Sequence, residues 1–177
     1  MQKIANLRQA YGEALVDIGL KDKNIVVLDS DLSLSTMSFY FKKKFPNRFF
    51  EMGICESNML SVAAGLSLSG KIPFANSFSV FITGRAFDQI RQGIALPKLN
   101  VKIIGSSCGL SDYSDGATHQ SIEDIAIMRS LPNMTVLVPA DALEVKKIVR
   151  EITNYYGPVY VRINRSDLPL ITDESHI

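Results

Sequence analysis

A chain of 177 residues that is 46% hydrophobic and 21% charged has room for one domain with a real core. Its net charge of +1, with no Lys/Arg run longer than the three lysines at 42–44, excludes the basic footprint of a nucleic-acid binder. No apolar run approaches the ~18 residues of a membrane span, and the mixed-charge start lacks the apolar centre of a signal peptide. Two cysteines without a C-x-x-C, and two histidines, His119 and His176, argue against a disulfide framework, a cysteine zinc site and a His-rich metal site. The reducing cytoplasm is the expected compartment.

Ile4, Leu7, Tyr11, Leu15 and Ile18 recur at helical spacing, which predicts a helix over 3–19. Apolar runs over 24–31 and 48–53 predict strands, and 57–69 a helix whose Ala63, Ala64 and Gly65 permit close packing. A strand over 71–78 and a helix over 82–95 follow, then a strand over 100–106 and a long polar loop over 107–119. The remainder reads as helix 120–131, strand 134–140, helix 141–152 and strand 157–164. Alternation of this kind, with continuously apolar strands, predicts an α/β fold. The expectation is a single doubly wound domain over 1–166 with a mostly parallel six-stranded sheet, followed by a tail or linker over 167–177. Function in such sheets sits in the loops after the strand C-termini, here those beginning at Ser30, Gly53, Asn76, Ser106, Ala140 and Asn164.

Residues 65–72, "GLSLSGKI", have the spacing of a phosphate loop but follow a helix and enter a strand. The phosphate-binding mechanism needs the opposite order, so this stretch reads as a glycine helix stop. Glu56 is different. It stands at a strand-to-helix junction among Met52, Ile54, Cys55, Met59, Leu60 and Val62, residues that read as core. An acid in the first helical turn is favoured by the helix dipole alone, whereas an acid buried in a core must be paired, neutral or held for a task. His119 follows an Asp115-Gly116 turn in the long loop, and the turn explains the glycine but not the histidine. Phe78 and Phe81 fit core packing as well as a binding role. Arg8, Arg85, Arg91 and Arg165, each taken singly, read as solvated or paired.

Taken together, "GICESNMLSVAAGLSLSG", the F-x-x-F at 78–81 and "DGATHQSIEDIAIMRSLPNMTVLVPAD" resemble the pyrimidine-binding domain of transketolase and its thiamin-diphosphate relatives. The resemblance runs from Arg8 to Pro169 and is closest to the carboxy-terminal half of split bacterial and archaeal transketolases. It implies two-carbon ketol transfer between sugar phosphates, and the thiamin-diphosphate-binding fold of the pyrimidine type. It implies that Glu56 hydrogen-bonds N1′ of the cofactor's aminopyrimidine, promoting the tautomer that removes the thiazolium C2 proton. Phe78 and Phe81 match the aromatic pair that holds the pyrimidine, and Asp31 the acid near the thiazolium and substrate. Asp115 and His119 match residues at the donor hydroxyls, His119 also supporting the developing alkoxide. Arg8, Ser35 and Arg165 match the holders of an acceptor phosphate.

Ser107 stands where that phosphate pocket has a histidine, and Ser114 where an acid precedes the Asp-Gly. The pocket is therefore expected to prefer phosphate less strongly. No G-D-G occurs in the sequence, so Mg²⁺ and the cofactor diphosphate are expected on a partner chain that carries one, and no metal ligand is assigned here. The family's third, carboxy-terminal domain is expected to lie outside these 177 residues, either by nature or because the chain was cut. The resemblance implies a two-plus-two heterotetramer, with self-association of this chain when the partner is missing. Its nearest rivals are deoxyxylulose-phosphate synthase and the β-chain of 2-oxoacid dehydrogenase E1. A non-catalytic α/β interaction module is the rival from another class.

Overall fold

The structure, a computed structural model, describes residues 3–173. Six parallel strands form the central sheet in the order β3-β2-β4-β5-β7-β6. They are β2 (Ile25–Asp29), β3 (Phe49–Glu51), β4 (Ile72–Phe78), β5 (Lys102–Ser106), β6 (Thr135–Leu137) and β7 (Val159–Arg162). β2 and β5 are buried along their whole length, as strands covered on both faces should be. Alternate residues point to opposite faces, so Val27, Phe74, Ile104 and Val161 enter one core while Val26, Leu28, Ala75 and Ile103 enter the other.

The first core is closed by α1 (Leu7–Lys21) and α8 (Ala142–Asn154), through Tyr11, Leu15, Val145 and Val149. α3 (Phe39–Lys44) joins it by burying Phe41. Gly19 lets α1 approach Phe41 and Phe45, because a Cβ there would lie 2.5 Å from the Phe41 ring. The second core is closed by α4 (Glu56–Leu68), α5 (Ser79–Gly84), α6 (Phe87–Ile90) and α7 (Asp124–Arg129), through Met59, Leu60, Ile82, Ile90 and Met128.

Several elements differ from their sequence reading. The chain begins with a strand, β1 (Ile4–Asn6), and α1 starts only at Leu7, where the Asn6 side chain accepts a hydrogen bond from the Gln9 N–H at 3.0 Å. Short α2 (Ser33–Thr36) and α3 occupy a stretch to which the sequence reading gave no element. The helix expected over 82–95 starts at Ser79, breaks at Arg85–Ala86 and ends in a π-helical turn, Arg91–Ala95. The helix expected over 120–131 forms only over Asp124–Arg129, because Ser121 pairs with Gly109 instead.

Residues beyond 166 run back over the domain. β8 (Asp167–Pro169) pairs antiparallel with β1, and Asp141, which also caps α8, accepts from the Ile171 and Thr172 N–H groups at 2.8 and 2.7 Å. The rest of the expected tail, 174–177, lies outside the described residues. Among the described residues no helix is long and apolar enough to cross a membrane.

Asp29, at the end of β2, is fully buried. It accepts from the Leu32 N–H at 2.7 Å and from the Thr36 and Ser38 hydroxyls at 2.8 Å each. Burial pushes its carboxyl up to about 6 against those bonds. A raised carboxyl binds its proton more tightly folded than unfolded. Its contribution to stability is therefore full below pH ~4 and is lost as the pH rises through about 6, by roughly 3 kcal/mol. Urea unfolding of wild type and Asp29→Asn between pH 4 and 7 should show the gap between the two shift by that order, at the wild type's expense as pH rises. Parallel profiles would place the Asp29 carboxyl near its ordinary value.

Candidate active site

Because the six strands are parallel, their C-termini meet at one edge, and the loops leaving that edge bring distant residues together. Glu56 opens α4 just after β3, Phe78 ends β4, and Phe81 lies in the first turn of α5. His119 closes a 3₁₀ turn, Gly116–Thr118, in the loop after β5.

Glu56 is 1% exposed. The Ser77 hydroxyl donates to its Oε1 at 2.9 Å, and Arg85 Nη1 meets its Oε2 at 3.2 Å. One oxygen is thus fixed from within the sheet, while the other faces a guanidinium that is 47% exposed and free to swing into water. The Phe78 and Phe81 rings lie 6.1 Å apart and nearly parallel. The His119 ring stands edge-on to both, at 5.2 Å from Phe81 and 6.1 Å from Phe78. Arg85 also lies over the Phe81 ring at 4.4 Å, which joins the carboxylate to the aromatic group. The result is a buried acid beside flat apolar surfaces and an imidazole.

The segment around Glu56 is less buried than its sequence suggests. Met59 and Leu60 are core, but Cys55 is exposed and Ile54 is 73% exposed. The acid is therefore the buried residue and its immediate predecessors are the exposed ones.

A second group forms beside the first. Arg165 Nη1 bonds the fully buried Asp112, and Asp115 Oδ2 at 3.2 Å. Burial alone would lower the Arg165 guanidinium, but Asp112 and Asp115 raise it overall. Arg8 Nη1 donates to the Ser35 backbone carbonyl at 2.9 Å, so the contact to Ser35 does not use its hydroxyl. Burial and then repulsion by Arg165 lower the Arg8 guanidinium. Ser107 is fully buried at a φ of 54°, and its hydroxyl has no partner among the described residues. Arg8 and Arg165, with Ser111, Tyr113, Ser166 and Asp167, line an opening of about 380 Å³.

Asp31 joins neither group. It is exposed, at a φ of 64°, and its N–H donates to Glu51 at 2.8 Å. The sequence reading passed over Ser77 and Asp112, and took Arg85 only as solvated or paired. Arg85 had a usable signal: it stands four residues after Phe81 at the end of a helix, the spacing that stacks one side chain on another. Among the described residues no group of three His, Cys, Asp or Glu is placed to hold a metal ion.

A buried acid joined through Arg85 to an aromatic pair, with a histidine edge-on to that pair, gathers on the loops at the C-terminal edge of a parallel sheet. The sequence matches the family "Transketolase, pyrimidine binding domain" over residues 3–170, and the chain belongs to that family. A protein of Methanocaldococcus jannaschii named as a transketolase C-terminal section is 52% identical over 93% of this chain and 52% of its own length. A 6-deoxy-6-sulfo-D-fructose transketolase subunit from Clostridium sp. is 40% identical over 96% of this chain and 52% of its own. Among solved structures, a split gene transketolase described as an inactive beta4 tetramer superposes with a TM-score of 0.84 at 53% identity. That match covers 94% of this chain and 54% of the other. The chain thus spans about half the length of these two curated relatives.

Proposed function

We propose that this chain supplies the pyrimidine half of a thiamin-diphosphate-dependent transketolase site and works only with a second chain that carries the diphosphate- and Mg²⁺-binding domain. The observation that carries this reading is the buried Glu56 carboxylate, held at one oxygen by Ser77 and set beside Phe78 and Phe81. These residues fit the cofactor's pyrimidine: an acid for a ring nitrogen, aromatic faces for a ring. The cofactor supplies a carbon nucleophile for a ketose carbonyl. Glu56 would turn Oε2, once Arg85 swings aside, to a hydrogen bond with the pyrimidine N1′, and in a dry site such a bond would polarise the ring more than in water. Phe78 and Phe81 fix the ring and exclude water.

His119, edge-on to the pair, stands ready to donate to the oxyanion that forms on a donor carbonyl, and Asp115 to accept from a donor hydroxyl. Asp31 waits on its loop for the thiazolium side of the cofactor. Arg8 and Arg165 line the opening that would take the far end of the acceptor sugar, with Ser35 and the buried Ser107 behind them, and sugar phosphates are the reference substrates. The absence of a G-D-G leaves Mg²⁺ and the diphosphate to the partner. The similar split gene transketolase, inactive as a beta4 tetramer, supports both the dependence on a partner and a two-plus-two working assembly. Both cysteines, exposed Cys55 and buried Cys108, are free, which suits a reducing cytoplasm.

The test is reconstitution with the chain that carries the G-D-G domain. Turnover of xylulose 5-phosphate but not pyruvate is expected. Turnover of pyruvate would transfer the chain to the deoxyxylulose-phosphate synthase or 2-oxoacid dehydrogenase E1 class, and turnover of neither would make it a non-catalytic interaction module.

A further inference from the structure

The second residue group carries a charge balance that the sequence resemblance does not suggest. Two cations, Arg8 and Arg165, meet three carboxylates, Asp112, Asp115 and Asp167. Asp112 is the decisive one. It is fully buried, so little water screens its field at Arg165, and its own Oδ2 has no partner among the described residues. Asp115 engages the same Nη1 of Arg165 from the solvent side. Arg8 is held through Nη1 by a backbone carbonyl and feels Asp167. A phosphate dianion arriving here would meet a net negative surround and would have to displace Asp115 from Arg165. Both acids engage Arg165 through Nη1, so a phosphate seeking a two-point hold on the guanidinium would compete with them for that nitrogen. The neutral groups at the opening, Ser111, Ser166 and the exposed Tyr113, suit hydroxyls instead.

We propose that Asp112 sets the substrate class at this end of the site: by neutralising Arg165 together with Asp115, it makes the pocket accept an uncharged hydroxyl terminus about as readily as a phosphorylated one. The proposal rests on the transketolase reading for the identity of the substrate, but not for the charge balance itself.

The assembled enzyme, given one ketose donor, is assayed with D-ribose 5-phosphate and with D-ribose as acceptors. Charge-assisted hydrogen bonds to a phosphate would give one to two decades of preference, so a ratio of kcat/KM below about tenfold is expected here and a larger one overturns the proposal. Asp112→Asn should raise that ratio about tenfold, and an unchanged ratio in a folded variant also overturns it. Should Asp112→Asn fail to fold, the wild-type ratio still decides.

Should neither acceptor react, the transketolase reading fails and the pocket is read directly. The full chain is then titrated with inorganic phosphate while the Arg165 guanidinium is followed by NMR. No saturable shift is expected in wild type at concentrations that saturate Asp112→Asn, or, if that variant is lost, at concentrations that saturate an ordinary arginine phosphate site. Saturable binding by wild type overturns the proposal.

Discussion

Glu56→Gln in the enzyme assembled with its partner chain lowers turnover by about 10²- to 10⁴-fold, the range of a lost acid–base contribution. The fold survives the change. Glutamine keeps the shape of the side chain, and its carbonyl still accepts from Ser77, as Oε1 does at 2.9 Å. Its amide turns a donor toward Arg85, but that guanidinium is 47% exposed and relaxes into water. What the variant loses is the ability to hold and share a proton at the second oxygen. Steady-state turnover beside a thermal melt separates the two effects. A full loss of rate with an unshifted melt is expected, and undiminished turnover would reduce Glu56 to an ordinary first-turn acid that complements the helix dipole.

The isolated chain is expected to show no ketol transfer and to bind thiamin diphosphate weakly, with no dependence on Mg²⁺. The charged end of the cofactor carries most of its affinity, through a metal held by carboxylate, amide and water oxygens. This chain offers Glu56 and two aromatic rings, which suffice for a ring but not for a charged tail. Its site edge is also unfinished. Leu34, Ile54, Leu110, Tyr113 and Ile122, each at least 66% exposed, all lie in the segments that follow the C-terminal ends of β2, β3 and β5. Apolar side chains gathered at one edge favour a covering partner. Calorimetric titration with cofactor, with and without Mg²⁺, checks this. Tight, metal-dependent binding by the chain alone would overturn the division of labour.

The alternation of elements and the parallel sheet were legible because burial on both faces leaves an unbroken apolar signal, as in β2 and β5. The short elements were not. β1 and β8 exist because they pair with each other across the length of the chain, and no local pattern announces a partner more than 160 residues away. The helix expected from residue 120 is shortened by a single bridge, Gly109 to Ser121, which tertiary context supplies. In the site, Glu56, Phe78, Phe81 and His119 were readable as motif positions, and the fold draws them into one group. Ser77 and Asp112 were not, because their roles come from distances between strands and loops rather than from spacing along the chain, and the spacing of Arg85 to Phe81 gave its stacking but not its pairing with Glu56.

The account stands on Glu56 acting at the pyrimidine, and that action is read at the cofactor itself. Deuterium exchange at C2 of thiamin diphosphate is measured by quenched-flow NMR in the assembled complex, wild type against Glu56→Gln, without any sugar present. Exchange slowed by about 10²-fold or more in the variant, with the cofactor still bound, is the expected result. Exchange as fast in Glu56→Gln as in wild type would contradict the role given to Glu56 and, with it, the function proposed for this chain.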